Sequence, residues 1–439
     1  MPKIKKEEKK KKPEEGRFQL LRGFRDVLPP EEKFFLLLEK KVSNLAKDYG
    51  FGRIRLPILE EAVLFARSVG KDTDIVEKEM FTFVDQNETT VTLRPEATAS
   101  IARAYIEHGM LNWPQPVKLF YIEPMFRREK PQSGRYRQFY QFGFEFLGTA
   151  EPVIDAQLIS IANKIFSELN LRESVSIEVN SLGCKNCREE YKQELLNFLK
   201  PKKKLLCEDC KKRMQKNPLR VLDCKEPSCQ AVLADAPVLL DWLCDECKDH
   251  FMKVLEFLDQ LEIIYNLNPR LIRGLDYYNK TVFEIWPTEK TGSQTALAGG
   301  GRYDSLIETL GGRATPAIGF SGGVERIISL LKQKGIEPRE TGQAKVYLAQ
   351  IGVQAKTKAI KLLEKFHNEG IIVAENLSKD NLKAQLEQAN RLKVRYTLIL
   401  GQKEVLDGTI LIREMEGGVQ EIVDYEKAVQ EIKKKLSKT

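Results

Sequence analysis

Histidine is nearly absent from this 439-residue chain: His108, His250 and His367 are the only three, and they lie far apart in sequence. Such scarcity argues against a histidine-rich metal centre and against a nucleophile–histidine–carboxylate triad. Arginines, carboxylates and thiols are left to carry most of the chemistry. Long apolar runs are missing too. No stretch approaches the roughly 18–20 uncharged apolar residues of a membrane helix, and the mean hydropathy is −0.37, so no membrane partner is expected. The N-terminus, Met1-Pro2-Lys3-Ile4-Lys5-Lys6-Glu7-Glu8, goes on in charges without the apolar core of a secretory signal. A cytoplasmic location is expected. Cysteine is absent outside one window, since all eight fall between Cys184 and Cys247.

What is present exceeds one ordinary core: 439 residues at 42% hydrophobic and 31% charged predict two or three domains. The net charge of +8 suits a polyanionic partner and equally a merely soluble protein. Residues 1–16 are rich in lysine and glutamate and have no apolar face, which predicts a flexible charged arm, either a solvated tail or a weak RNA contact. Residues 17–180 and 261–335 read as two parts of one domain interrupted by a cysteine-rich insertion, 181–260. A linker at 336–343 leads to a C-terminal domain at 344–439.

Phe34, Leu37, Leu38, Val42, Leu45 and Ala46 have the spacing of an amphipathic helix that ends near Gly50. Ile54 and Leu56 at strand spacing, then Phe81–Val84, Thr90–Leu93, Val117–Ile122, Val175–Val179 and Thr281–Ile285, predict an α+β fold with a largely antiparallel sheet. In the C-terminal domain, apolar runs at 346–351, 371–374 and 396–400 alternate with helical stretches at 354–368 and 380–392. That order predicts a small α/β domain with parallel strands.

Five segments concentrate chemistry. Phe126-Arg127-Arg128-Glu129-Lys130-Pro131-Gln132-Ser133-Gly134-Arg135-Tyr136-Arg137-Gln138-Phe139-Tyr140-Gln141 reads as two strands about a turn. Planar guanidinium groups there suit phosphate oxygens and an aromatic face suits a nucleobase, although a solvated charged hairpin would look similar. Leu93-Arg94-Pro95-Glu96-Ala97-Thr98 places Glu96 near a helix start, where it either meets the helix dipole or holds a cationic substrate group. Arg273-Gly274-Leu275-Asp276-Tyr277-Tyr278 and Ala298-Gly299-Gly300-Gly301-Arg302-Tyr303-Asp304 combine charge, phenols and glycines that let a ligand approach the backbone. Gly319-Phe320-Ser321-Gly322-Gly323-Val324-Glu325-Arg326 precedes a helix and lacks the Gly-Lys-Ser/Thr ending of a P-loop.

Together these segments resemble the histidyl-tRNA synthetase family of class II aminoacyl-tRNA synthetases, over essentially residues 17–439. Gly23-Phe24-Arg25-Asp26 and the stretch to Pro57 resemble the start and motif 1, through which that class dimerises; Arg127–Glu145 resembles motif 2 and Gly319–Arg326 motif 3. The segments at 273–278 and 300–304 resemble the two signatures particular to the histidine enzymes. The resemblance implies an antiparallel catalytic domain, a C-terminal α/β anticodon-binding domain, a homodimer, and ATP-dependent ligation of L-histidine to tRNA(His) with Mg²⁺ on the phosphates. It implies that Arg127 and Arg273 are catalytic, that Arg127, Glu129, Arg135, Phe139 and Arg326 bind ATP, and that Glu96, Ala97, Thr98, Gln141, Glu145, Arg273, Tyr277 and Tyr278 bind histidine. A histidine-sensing regulatory paralogue is the alternative, and such paralogues tend to lack the C-terminal domain and signature residues that stand here.

The cysteines form four pairs, Cys184/Cys187, Cys207/Cys210, Cys224/Cys229 and Cys244/Cys247. Short pairs place two thiolates on one tetrahedral metal, so eight would fill two all-thiolate sites, and a cytoplasmic chain disfavours disulfides. Structural Zn²⁺ is the expectation, at one site or two, since Cys224 and Cys229 sit beside Pro227 and need not be ligands. The lysines near 202–204 and 211–212 read as a solvated face or as a contact to the tRNA acceptor stem.

Overall fold

The computed structural model describes residues 18–70, 73, 75–129, 135–289, 296–338 and 343–437. The expected arm at 1–16, the turn Lys130–Gly134 and part of the expected linker lie outside the described residues. The chain forms two compact units, divided after Pro338.

The first unit carries β1 (Gly52–Arg53), β2 (Leu59–Glu61), β3 (Phe81–Val84), β4 (Thr90–Leu93), β5 (Val117–Phe126), β6 (Gln138–Leu147), β7 (Val175–Ser181), β8 (Asn266–Leu267), β9 (Asn279–Pro287), β10 (Ala298–Arg302) and β11 (Ala317–Gly323). Eight of these make one sheet in the order β1-β5-β6-β11-β10-β9-β7-β8. Pairing is antiparallel through its centre and parallel only at the edges, β1 with β5 and β7 with β8. The largely antiparallel sheet is as the apolar runs predict. A second, three-stranded sheet has the order β2-β4-β3.

Strand alternation divides the large sheet into an apolar face and a polar one. In β6, Phe142, Phe144 and Phe146 point into the main core, where the Phe144 and Phe320 rings stack 5.4 Å apart. Phe139, Gln141, Gly143 and Glu145 alternate with them and belong to the opposite face. Helix Pro29–Asp48 closes the apolar side with Phe34, Leu38, Val42, Leu45 and Ala46, starting at a proline pair with Glu31 and Glu32 in its first turn. Prolines lack the N–H that a first turn leaves orphaned, and carboxylates there meet the positive end of the helix dipole.

The expected strand is formed only at its start: β1 covers Gly52–Arg53, Ile54 N still donates to the Phe120 carbonyl (2.9 Å), and pairing does not reach Leu56. The reason lies in a buried side chain. Arg94 donates through Nη1 to the carbonyls of Leu56 (2.7 Å) and Pro57 (3.0 Å), so these acceptors serve a guanidinium and not a neighbouring strand.

The cysteine-rich stretch has a core of its own, built on Tyr191, Leu195, Leu199, Leu206 and Leu233. Its last helix, Asp245–Gln260, instead sends Phe251, Val254 and Leu258 into the main core. In the second unit, β12 (Val346–Gln350), β13 (Val373–Glu375), β14 (Tyr396–Leu400), β15 (Thr409–Glu414) and β16 (Gln420–Asp424) pair in the order β13-β12-β14-β15-β16. The first three are parallel, as expected, while β15 and β16 add an antiparallel edge that the apolar runs did not reveal. Val346 and Leu348 pack on helix Val353–Asn368, and Tyr347 and Ala349 face Ala389 of helix Leu382–Arg391, so helices cover both sides. Among the described residues, no helix is long and apolar enough to cross a membrane.

Candidate active site

The polar face of the large sheet is the floor of a cavity of about 580 Å³. One end is basic. Arg127 leaves the end of β5, donates through Nε to the Pro95 carbonyl (2.9 Å), and sets its guanidinium 5.4 Å from the Phe139 ring centroid. Glu129 accepts from Arg135 at 2.9 Å and stands 4.0 Å from Arg127. Arg326, on the first turn of helix Val324–Gln333, donates to the Ala296 carbonyl (2.9 Å). Burial lowers the pKa of Arg326, and the charges of Arg135 and Arg127 lower it further. Three guanidiniums share one end of a cavity, and among the described residues only Glu129 forms an ion pair with them there, which is the electrostatic setting of a polyanion site.

The other end is lined by Glu96, Thr98, Tyr121, Gln141, Tyr277 and Tyr278. Glu96 accepts from the backbone N–H of Thr98 (2.7 Å) and of Ala99 (2.9 Å), and so caps helix Thr98–Glu107 while lining the cavity. Burial raises its pKa against those two donors and the Arg127 charge. The helix-start reading of Glu96 holds, and the same carboxylate faces the cavity. Tyr277 and Tyr278 lie with ring centroids 4.6 Å apart, and Tyr303 meets Tyr277 at 5.7 Å.

Arg273 stands between the two ends. It pairs with Glu284 of β9 and places its guanidinium 5.2 Å from the Tyr278 ring centroid. Gly299 makes room for it, since a Cβ there would strike Arg273 Nη1. Burial raises the Glu284 pKa and the Arg273 charge opposes that rise.

Of the residues expected from the sequence, Arg127, Glu129, Arg135, Phe139, Arg326, Glu96, Thr98, Gln141, Arg273, Tyr277 and Tyr278 line this one cavity. Ala97 and Glu145 are buried behind its wall. The Glu145 carboxylate accepts from Thr98 Oγ1 (2.9 Å) and Tyr303 OH (2.5 Å), beneath a glycine, Gly319, whose Cβ would collide with it. With no cation beside it, burial and the neighbouring Glu96 push its pKa up to about 8, against the hydrogen bonds from Tyr303 and Thr98. Sequence reasoning missed Glu284, Tyr121 and the role of Tyr303. The readable signal for Glu284 was a lone carboxylate in the apolar run Thr281-Val282-Phe283-Glu284-Ile285.

The eight cysteines come together as two tetrads, Cys184, Cys187, Cys244 and Cys247, and Cys207, Cys210, Cys224 and Cys229, the sulfurs of each lying within 4.8 Å of one another. The outermost pairs thus join each other, and the two inner pairs do likewise.

The family model for histidyl-tRNA synthetase matches residues 23–327, more than half of the chain. The chain belongs to the histidyl-tRNA synthetase family. A model for an anticodon binding domain matches residues 345–435. Similar relatives include a histidine–tRNA ligase of Desulfitobacterium hafniense, 44% identical over 93% of this chain and 96% of the relative. One from Acetivibrio thermocellus is 41% identical over 94% and 99%. Among solved structures, an apo histidyl-tRNA synthetase of S. aureus has a TM-score of 0.79 at 34% identity, covering 94% of this chain and 99% of that one. A regulatory subunit of ATP phosphoribosyltransferase/histidyl-tRNA synthetase from Bacillus halodurans shares the fold, with a TM-score of 0.62 at 18% identity. As a histidyl-tRNA synthetase family member, the chain brings one signature segment to the cavity through Arg273, Tyr277 and Tyr278, while of the second glycine-rich segment only Ala298 and Gly299, just ahead of 300–304, line it.

Proposed function

We propose that this chain is a histidine–tRNA ligase that joins L-histidine to tRNA(His) in two steps. The histidine carboxylate attacks the α-phosphorus of ATP; the new O–P bond forms as the bond to the bridging oxygen breaks, giving histidyl-adenylate and pyrophosphate. The terminal adenosine hydroxyl of tRNA then takes the histidyl group and AMP leaves. One observation carries the reading: a single cavity joins three clustered guanidiniums to a carboxylate-and-phenol end, with Arg273 between them.

Arg127 holds the α-phosphate, Arg326 the γ-phosphate and Arg135 the chain between, while Phe139 offers its ring to adenine. Arg273 matches charge on the attacking carboxylate and on the α-phosphoryl oxygens. Fixed cations aimed at developing charge accelerate the step with little proton transfer by the protein. Glu96 and Thr98 meet the histidine ammonium. Gln141, Tyr277 and Tyr278 enclose the imidazole, and Glu145 acts behind them by orienting Thr98 and Tyr303.

Mg²⁺ fits this site as an ion carried mainly by ATP phosphates and water, with Glu129 the carboxylate at the basic end. When bound, it neutralises phosphate charge. The thiol chemistry of the two tetrads fits structural Zn²⁺.

The protein works in the cytoplasm as a homodimer. Exposed Leu36, Ile58, Leu59, Phe83 and Val84, on or near the motif 1 region, give a second copy an apolar surface to cover. The regulatory alternative leaves the three phosphate-end arginines and the anticodon-binding unit without a task.

Histidine-dependent exchange of pyrophosphate into ATP tests the assignment, with Arg273→Ala as control. Exchange that requires histidine and collapses in the variant supports it. Exchange driven by a different amino acid, or none at all, overturns it.

A further inference from the structure

The two cysteine tetrads are nested, and they hold different things. Cys184 and Cys187 Sγ lie 3.5 Å apart, and Cys207 and Cys224 Sγ 3.8 Å apart. Zinc–sulfur bonds of about 2.3 Å in a tetrahedron separate sulfurs by about 3.8 Å, whereas a disulfide brings them to about 2.05 Å. Backbone N–H groups are already aimed at sulfur: Cys207 N donates to Cys229 Sγ (3.2 Å), Cys210 N to Cys207 Sγ (3.4 Å) and Cys244 N to Cys187 Sγ (3.2 Å).

The outer tetrad stands where the insertion leaves and rejoins the body. Beside it, Lys280 N donates to the Gly183 carbonyl at 2.9 Å and Arg188 to the Tyr278 carbonyl at 3.0 Å. The inner tetrad is placed otherwise. Leu222, Asp223, Lys225 and Gln230, which flank Cys224 and Cys229 directly, are themselves part of the cavity lining. Lys225 pairs with Asp223 at 3.1 Å and sits 5.7 Å from the ring centroid of Trp286, two residues along β9 from the Glu284 that holds Arg273. Apart from the seven-residue helix Pro227–Leu233, this wall has little regular structure to hold its shape. Four ligands spread over residues 207–229 tie it at both ends.

We propose that Cys207, Cys210, Cys224 and Cys229 form a zinc site that positions one wall of the active site, so that histidine binding depends on this zinc. The inference rests on reading the thiols as zinc ligands, and goes beyond a fold-stabilising metal. With the inner zinc in place, the segment 222–230 faces Glu284 and Trp286 and keeps the Arg273–Glu284 pair in register with the carboxylate of histidine. Without it, the wall moves away, while the phosphate end, built on Arg127, Arg135 and Arg326, stays as it is. The signature is therefore a rise in KM for histidine with KM for ATP nearly unchanged.

Full-length protein purified without chelator is expected to hold two zinc ions per chain. Cys224→Ser should hold one and show a histidine KM raised about tenfold in pyrophosphate exchange. Cys224→His restores a fourth ligand and should recover both the second zinc and the KM. Lys225→Ala should keep two zinc ions and still raise the histidine KM, because it alters the wall and leaves the metal. Should Cys224→Ser fail to fold, gradual removal of zinc from the wild type by a chelator gives the same reading: histidine KM rises as zinc leaves and returns when zinc is added back. Loss of the inner zinc with an unchanged histidine KM overturns the proposal. Wild-type protein that is folded and free of zinc overturns the metal reading itself.

Discussion

Two kinds of arginine stand a few strands apart in the first unit, and their surroundings differ in a way that separates folding from function. Arg94 and Arg302 are fully buried and richly partnered. Arg94 donates to three backbone carbonyls and pairs with Glu123 at 2.9 Å. Arg302 grips Asp155 through Nε (3.0 Å) and Nη2 (2.6 Å), reaches Asp304 at 3.1 Å and donates to the carbonyls of Thr149 and Glu151. Among the described residues, Arg127, Arg135 and Arg326 have few partners, and Arg326 is held against the repulsion of the other two. A buried cation so richly partnered is committed to the fold. Cations left short of partners in a cavity await an anion.

The largest effect expected is on the richly partnered side. Asp155→Ala removes the carboxylate from Arg302 and from His250, whose Nε2 lies 2.9 Å away, and leaves the buried guanidinium with Asp304 as its one remaining carboxylate among the described residues. It should destabilise the chain by about 3–5 kcal/mol in urea unfolding. A loss below about 1 kcal/mol would show that Arg302 finds other partners, and the distinction between the two sets would fail.

Arg326→Ala should do the reverse. Pyrophosphate exchange is expected to fall about 100- to 1,000-fold, as when one preorganised group is removed from a transition state, with the thermal midpoint kept or slightly raised because a repelled cation has gone. A variant that loses stability along with activity would place Arg326 among the structural arginines.

Carboxylates repeat the contrast. Asp155 is buried with a cation, Glu145 without one, and the Glu145 pKa is pushed up from 4.5 to about 8. Its proton therefore stays on in the fold where the unfolded chain has lost it. The stability it contributes is complete below about pH 4.5 and is lost as pH rises to about 8, at up to about 1.4 kcal/mol per pH unit. Glu145→Gln keeps an oxygen acceptor for one of the two hydroxyls and offers an amide N–H to the other, which can turn to accept it, and should flatten the pH dependence of the urea midpoint in that window. An unchanged slope would mean that Glu145 ionises normally.

The smallest effect belongs to the surface. Lys41 and Glu168 join helix Pro29–Asp48 to helix Pro152–Glu168 at 2.7 Å with both side chains about a third exposed. Lys41→Ala should shift unfolding by about 0.5 kcal/mol, an effect that salt screens in the wild type. A shift as large as that of Asp155→Ala would remove burial as the variable that matters.

Much of the site was legible because its residues are carried by local patterns. Alternation along β6 was enough to place Gln141 and Glu145 on one side of the strand, and the spacing of Phe34, Leu38, Val42 and Leu45 marked the first helix. Legibility ended where a partner came from far along the chain. Ile54 and Leu56 have strand spacing, yet Arg94, about forty residues later, takes the Leu56 and Pro57 carbonyls. Gln141 lines the cavity and Glu145 does not, because Gly319 of a neighbouring strand and Tyr303 close over the Glu145 carboxylate.

By itself the sequence determined the family, the α+β class, the basic and phenolic segments, and the presence of four thiol pairs, since each depends on residue types at short spacing. Only the tertiary structure decided that Cys184/Cys187 joins Cys244/Cys247, that Arg273 is held by Glu284, and that the inner thiols stand behind a wall of the cavity. Spacing fixes which atoms share a turn of helix or one side of a strand. Which distant segments meet is set by the packing of the whole core, and that is where the second set of decisions was made.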